Sequence, residues 1–168
     1  MTQQVQENRG LEVGRLLIGA AKTITAARYC WLTTTAENGG INARPMGRLL
    51  RDPIENGWTI RFILDGRSRK ALDIRRAPTI SVIFQRDADE AFVTLAGTAV
   101  LREDAAQVRP HWKDAYNMYF PTEQDRANAA LIDINAERME LWIRGVTPEP
   151  FGVQPTVLQR DAAGEWRL

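Results

Sequence analysis

Cysteine and histidine are almost missing from this sequence: Cys30 and His111 are the only ones in 168 residues. A lone cysteine excludes an intramolecular disulfide framework, and a lone histidine leaves no Cys/His set for structural zinc and no HExxH pair. A Ser-His-Asp triad would have to run through His111. Charge of one sign is lacking as well. Twenty-two Lys and Arg face twenty-one Asp and Glu, a formal net charge of +1, which excludes a global electrostatic pull toward nucleic acid or an anionic membrane but leaves a local basic site open. No apolar run approaches the ~20 residues of a spanning helix. The first such window, Leu16–Ala21, is cut by Lys22, and the opening MTQQVQENRG has no basic segment ahead of an apolar one. These absences predict a metal-free, cytoplasmic protein with neither nucleic acid nor membrane as a partner.

What is present suits one domain over residues 1–168, with enough apolar residues (44%) for a core. Residues 1–10 read as a loose tail. From Leu11 to Ala27 the residues Leu11, Leu17, Ile18, Ala21, Ile24 and Ala27 recur at helical intervals. The period then changes. Residues 29–35 are aromatic and β-branched, Glu37-Asn38-Gly39-Gly40 supplies a turn, and Ile41–Leu50 follows, which predicts a hairpin over 29–50. Pro45 cannot donate to a ladder, so its strand belongs at an edge or a bulge. Further strands are expected at 58–64, 79–85, 91–102, 129–134 and 138–144, a short helix over 68–77, and a longer one over 103–119. Residues 145–168 read as a C-terminal extension with a possible hairpin. Short strand connections predict an α+β fold, a closed or nearly closed antiparallel barrel with flanking helices, and exclude a doubly wound parallel sheet.

Two segments carry chemistry. In Leu64-Asp65-Gly66-Arg67-Ser68-Arg69-Lys70 a strand ends, a turn follows, and a helix opens with a hydroxyl and three cations. Cations there oppose the helix dipole unless an anion lies among them; a phosphate monoester would satisfy the free N–H groups, the Ser68 hydroxyl and an arginine fork together. The alternative is a solvated basic face. In Asn42-Ala43-Arg44-Pro45-Met46-Gly47-Arg48, strand alternation puts Arg44, Met46 and Arg48 on one side, able to line a pocket for a flat anionic ligand, with Gly47 permitting close backbone approach. The alternative there is a strand edge guarded by charge.

Together "INARPMG", "WTIRFILDGRSRKALDIRRAPTISVIF", "FVTLAGTAVLRED" and "HWKDAYNMYFP", in that order, resemble the pyridoxamine 5′-phosphate oxidase-like FMN-binding split barrels, in particular their general stress protein branch. The resemblance covers about residues 28–144. It implies a six-stranded split barrel that dimerises and holds FMN at the subunit interface. It also implies that Arg44, Ser68, Arg69 and Lys70 hold the ribityl phosphate and that the backbone around Met46-Gly47 and Phe62-Ile63 lies along the ring and ribityl chain. Trp112, on an aromatic helix face that suits core or dimer interface, is also able to cover a flavin of the partner subunit. Three departures speak against oxidation of pyridoxamine phosphate. Met46-Gly47-Arg48-Leu49-Leu50 replaces an aliphatic run ending in lysine, Phe92 stands in place of a glutamine, and no arginine–histidine pair follows His111.

The expectation is therefore a homodimeric FMN-binding oxidoreductase of unknown substrate, with no catalytic side chain assigned. The alternatives are a non-catalytic flavin-binding or stress-associated protein, or the same fold with a deazaflavin or haem. His111 reads as a surface or capping residue, Cys30 as a buried inert thiol, and Trp112, Tyr116, Tyr119 and Phe120 as an aromatic helix face.

Overall fold

The computed structural model describes residues 3–49 and 51–168. Helix α1 spans Gln3–Ala26, so the helix begins well before Leu11 and the expected loose tail is helical from Gln3. Met1 and Thr2 lie outside the described residues. Glutamine, glutamate and arginine lose little rotamer freedom in a helix, so this polar start extends α1; residues 6–12 are exposed. The buried stripe is Leu16, Ala20, Ala21, Ile24 and Ala27, whereas Leu11 and Ile18 face outward. The helix end is held by two arginines: Arg48 Nη2 donates to the Ile24 carbonyl at 2.9 Å and Arg86 Nη1 to that of Ala26 at 3.0 Å, satisfying carbonyls the helix leaves free.

The strands are β1 (Cys30–Thr35), β2 (Ile41–Met46), β3 (Thr59–Asp65), β4 (Thr79–Arg86), β5 (Ala91–Arg102), β6 (Ala129–Ile143), β7 (Thr156–Arg160) and β8 (Trp166–Arg167); helix α2 (Arg69–Arg76) follows β3. Every pairing is antiparallel, in the order β2-β1-β4-β5-β6-β7-β8, with β3 on the first half of β6. The six strands β1–β6 thus form an open barrel, and β7–β8 is the C-terminal hairpin added to it. The sheet does not close. Strands β2 and β3 are the free edges of the six-stranded barrel, bridged by a backbone bond from Leu49 N–H to the Arg61 carbonyl at 2.9 Å. Pro45 lies on the edge strand, as its missing donor requires.

Two elements differ from expectation. The strands expected at 129–134 and 138–144 are one strand, β6, whose first half is buried on both faces and therefore reads as a continuous apolar run. A bulge opposite Ala96/Gly97 bends the pair β5–β6, so that β6 serves β3 with residues 129–135 and β7 with 138–141. The long helix expected over 103–119 breaks into α3 (Ala105–Val108), a 3₁₀ turn at Arg109–His111 and another at Asp114–Met118, with a short helix α4 at Glu123–Ala127. Pro110 lacks the N–H that would carry α3 onward. The barrel interior is filled by Leu32, Phe62, Phe84, Leu95, Ile132, Met139 and their neighbours, all of them fully buried. A second cluster of Leu49, Val108, Phe120, Ala129 and Leu131, with Ile63, Trp112 and Tyr116 against it, lies apart from that core.

Candidate functional site

The strand β3 ends at Asp65, whose carboxylate accepts from the Arg67 backbone N–H at 2.8 Å, and the chain turns into α2 at Ser68. Ser68 has the extended backbone of an N-cap (φ −68°, ψ 154°), yet its side chain makes no cap hydrogen bond. Its Oγ is buried without any partner among the described residues. A buried hydroxyl left unpaired costs about 1–3 kcal/mol, so an orphan here marks a place where a ligand atom belongs. Beside it the first-turn amides of α2 also lack intrahelical acceptors, since the first such bond runs from Leu72 N–H to the Ser68 carbonyl.

Three cations gather around this point. Arg44 reaches in from β2, half-buried, with Asp73 Oδ2 3.8 Å from its Nη2. Burial, with the like charge of Arg69 adding to it, pushes the Arg44 guanidinium below its usual range, partly offset by Asp73. Burial, then the nearby Arg44 charge, likewise lowers the Lys70 ammonium. No hydrogen bond or ion pair within the described residues engages the Arg69 or Lys70 head groups. Two carboxylates stand near these cations, but Asp73 also pairs with Arg76 and Asp65 with Arg67, and the surplus of positive charge that remains suits an anion. The same edge opens beside Arg69 and Asn42 into a cleft of about 680 Å³ between the β1–β2 turn and α2.

The residues expected at the site divide into two groups. Arg44, Ser68, Arg69 and Lys70 come together. Met46 packs its side chain against the barrel core, and Gly47 is exposed, with open space where a Cβ would stand. Phe62 is wholly buried inside the barrel, so only its backbone can face a ligand. Ile63 and Trp112 both pack against the second cluster. Trp112 packs on Tyr116 (centroids 5.8 Å, 77°) and Phe120 (5.3 Å, 59°), and its Nε1 donates to Asn117 at 3.2 Å. Tyr119, expected on the same face, is 70% exposed, because no continuous helix carries it.

Arg48 corrects the reading of the β2 face. The strand ends at Met46, and Arg48 is buried and spent on the end of α1, so it lines no pocket with Arg44. Arg67 turns away from the cations, between Asp65 (2.7 Å) and Asp125 (2.9 Å). His111 lies near Arg61 and Arg51, and burial followed by those two charges lowers its pKa, which favours the neutral imidazole. The Cys30 thiol is buried, and desolvation pushes it up to about 12, which makes it a poor nucleophile.

Sequence reasoning missed three residues behind the cations: Thr34, Asn42 and Asp73. Asp73 is 3% exposed, its Oδ2 accepting from Thr34 Oγ1 at 2.7 Å and Asn42 Nδ2 at 2.9 Å and its Oδ1 from Arg76 Nη2 at 3.2 Å. The available signal was a carboxylate next to Ile74 on the apolar side of a short helix, where burial demands polar partners. Among the described residues no group of three or more His, Cys, Asp and Glu side chains is placed to hold a metal ion, and no helix is long and apolar enough to cross a membrane.

Residues 19–149 match the family model described as "Pyridoxamine 5'-phosphate oxidase like". The fold is similar to that of a Clostridium acetobutylicum protein related to general stress protein 26 of Bacillus subtilis, of the pyridoxinephosphate oxidase family (19% identity, TM-score 0.70, covering 86% of this chain and 94% of that one). It is also similar to a pyridoxamine 5'-phosphate oxidase-related, FMN binding protein of Nostoc punctiforme (21%, 0.67, 94% and 93%). The same fold recurs in a heme binding protein of Mycobacterium smegmatis (16%, 0.61, 86% and 57%) and in an F420 reductase (16%, 0.56, 72% and 95%). No curated protein matches the sequence.

Proposed function

The chain belongs to the pyridoxamine 5′-phosphate oxidase-like family, and from that premise we propose that it is a cytoplasmic, homodimeric FMN-binding oxidoreductase whose flavin phosphate sits among Arg44, Ser68, Arg69 and Lys70. The observation that carries this reading is the orphaned Ser68 hydroxyl at the start of a helix, beside cations with too little negative charge to match them. A phosphate monoester supplies what each group lacks: acceptors for Ser68 and the first-turn amides, and negative charge for three cations. The groups fit. Bound there, FMN would supply one- and two-electron transfer chemistry.

The chain's own residues bind and orient. Arg44 and Lys70 would hold the phosphate end, the backbones of Met46–Gly47 and Phe62–Ile63 would line the ring and ribityl chain, and Trp112 would cover the flavin of the other subunit. No side chain is assigned a proton-transfer role. The phosphate cradle favours FMN over haem, which carries no phosphate to occupy it. The test is a titration of purified protein with FMN and riboflavin followed by calorimetry, alongside an absorbance spectrum of the protein as isolated. FMN binding well and riboflavin poorly is the expected result; absence of FMN binding, or a haem or deazaflavin spectrum, overturns the assignment.

A further inference from the structure

Behind the cation cluster lies a buried carboxylate that phosphate binding does not itself use. Asp73 sits one helical turn beyond Arg69 and Lys70 in α2, 3% exposed and facing β1 and β2. A carboxylate only accepts, so the 2.7 Å contact to Thr34 Oγ1 commits the single hydroxyl proton of Thr34 to Asp73. Thr34 Oγ1 is then left as an acceptor, and it takes a hydrogen bond from Arg44 Nη1 at 2.8 Å. The direction of the chain is thereby set: Arg44 donates to Thr34, which donates to Asp73. Asn42 Nδ2, at 2.9 Å from the same carboxylate oxygen, and Arg76 Nη2, at 3.2 Å from the other, hold Asp73 in place.

This arrangement solves a problem that a phosphate site creates for itself. With no anion bound, Arg44 stands near Arg69 and Lys70, and like charges favour rotamers that swing a long side chain away. An arginine that must be recaptured on binding loses affinity to the ordering of its side chain. A carboxylate placed directly against Arg44 would cure the repulsion but compete with the phosphate for the guanidinium. Here the carboxylate is set back, 3.8 Å from Nη2, and a neutral hydroxyl makes the direct contact. We propose that Asp73, acting through Thr34, is the positioning residue that holds Arg44 ready for the phosphate. The inference rests on the phosphate site proposed above and assigns roles to residues outside it.

The test compares FMN and riboflavin binding by flavin fluorescence in the full chain and in Thr34→Val, Thr34→Ser, Asp73→Asn, Arg44→Ala and the double variants Thr34→Val/Arg44→Ala and Asp73→Asn/Arg44→Ala. Valine keeps the volume and branching of threonine and removes the hydroxyl. Thr34→Val is expected to weaken FMN about five- to tenfold, with riboflavin unchanged and Thr34→Ser restoring wild-type affinity; in the Arg44→Ala background the same substitution should matter less than about twofold. Asp73→Asn should follow the same pattern and carries the comparison if Thr34→Val does not fold. Effects that add to Arg44→Ala, or that fall equally on riboflavin, would show that Thr34 and Asp73 only support the fold, and would overturn the inference while leaving the phosphate site standing. Wild-type protein that does not distinguish FMN from riboflavin would overturn both.

Discussion

Lys70 and Arg44 are held, half-buried, in each other's field. A phosphate carrying about two negative charges relieves both, through charge-assisted hydrogen bonds of about 1.5–3 kcal/mol each. Alanine at either position should therefore weaken FMN roughly ten- to a hundredfold, since ~1.4 kcal/mol is one decade, and leave riboflavin nearly untouched. The control is Arg9→Ala on the exposed part of α1. Arg86 and Arg102 are unsuitable for that purpose, because Arg86 caps α1 and Arg102 pairs with the buried Asp133 at 3.0 Å. The depressed Lys70 also sets a pH dependence. Burial and Arg44 lower its pKa, so the charged form that binds phosphate is lost as pH rises, starting below the ~10.4 of an ordinary lysine. At the acid end affinity falls below about pH 6, where the phosphate takes up its second proton. Titrations across pH should show both limbs in the wild type, and Lys70→Arg should shift the alkaline limb upward.

The pair β5–β6 shapes the barrel through one residue. At Gly97 an added Cβ would stand 1.9 Å from the Asn135 carbonyl oxygen, a backbone atom with no easy escape. The bulge at Ala96/Gly97 depends on that close approach. Gly97→Ala should cost about 1–3 kcal/mol, as overpacking does, read as a lower urea midpoint with the slope unchanged. Because residues 129–135 of the bent β6 carry β3, and β3 delivers α2, the same variant should also weaken FMN. Gly47→Ala, which meets nothing within 4 Å, should leave stability unchanged.

Over the whole molecule the six barrel strands leave β2 and β3 unpaired on one side, and the candidate site uses that opening. The C-terminal hairpin packs onto the barrel, Trp166 meeting Trp58 edge to face at 6.0 Å and Arg160 lying over Trp166 at 5.1 Å. Residues 109–119, which carry Trp112 between two 3₁₀ turns, expose Met118 and Tyr119 (74% and 70%), and Val100 on β5 is also exposed. Such apolar surface fits an interface better than bulk water, in keeping with the proposed dimer. Sedimentation at micromolar concentration should find twice the 19.0 kDa chain mass; a monomer would contradict both the dimer and a flavin site shared between subunits.

The sequence alone determined whatever local chemistry dictates. The 29–50 hairpin follows from its Asn38-Gly39-Gly40 turn, the restriction of Pro45 to an edge or a bulge from its missing N–H, and the start of α2, with Ser68, Arg69 and Lys70 at its head, from the strand–turn–cation pattern; that Arg44 joins them is implied by the family resemblance, not by local chemistry. Only the tertiary structure decided what depends on contacts between distant segments. Alternation along β2 placed Arg48 with Arg44, but the strand stops at Met46 and the end of α1, present only once the chain has folded, draws Arg48 away. The apolar run of β6 has the same pattern as two short strands until a bulge opposite Gly97 bends it as one. Asp73 looks like any helical carboxylate until β1 and β2 arrive to bury it with Thr34 and Asn42. Propensity and turn chemistry act over a few neighbouring residues, whereas burial and its demand for polar partners are set by whatever the fold brings to the same place.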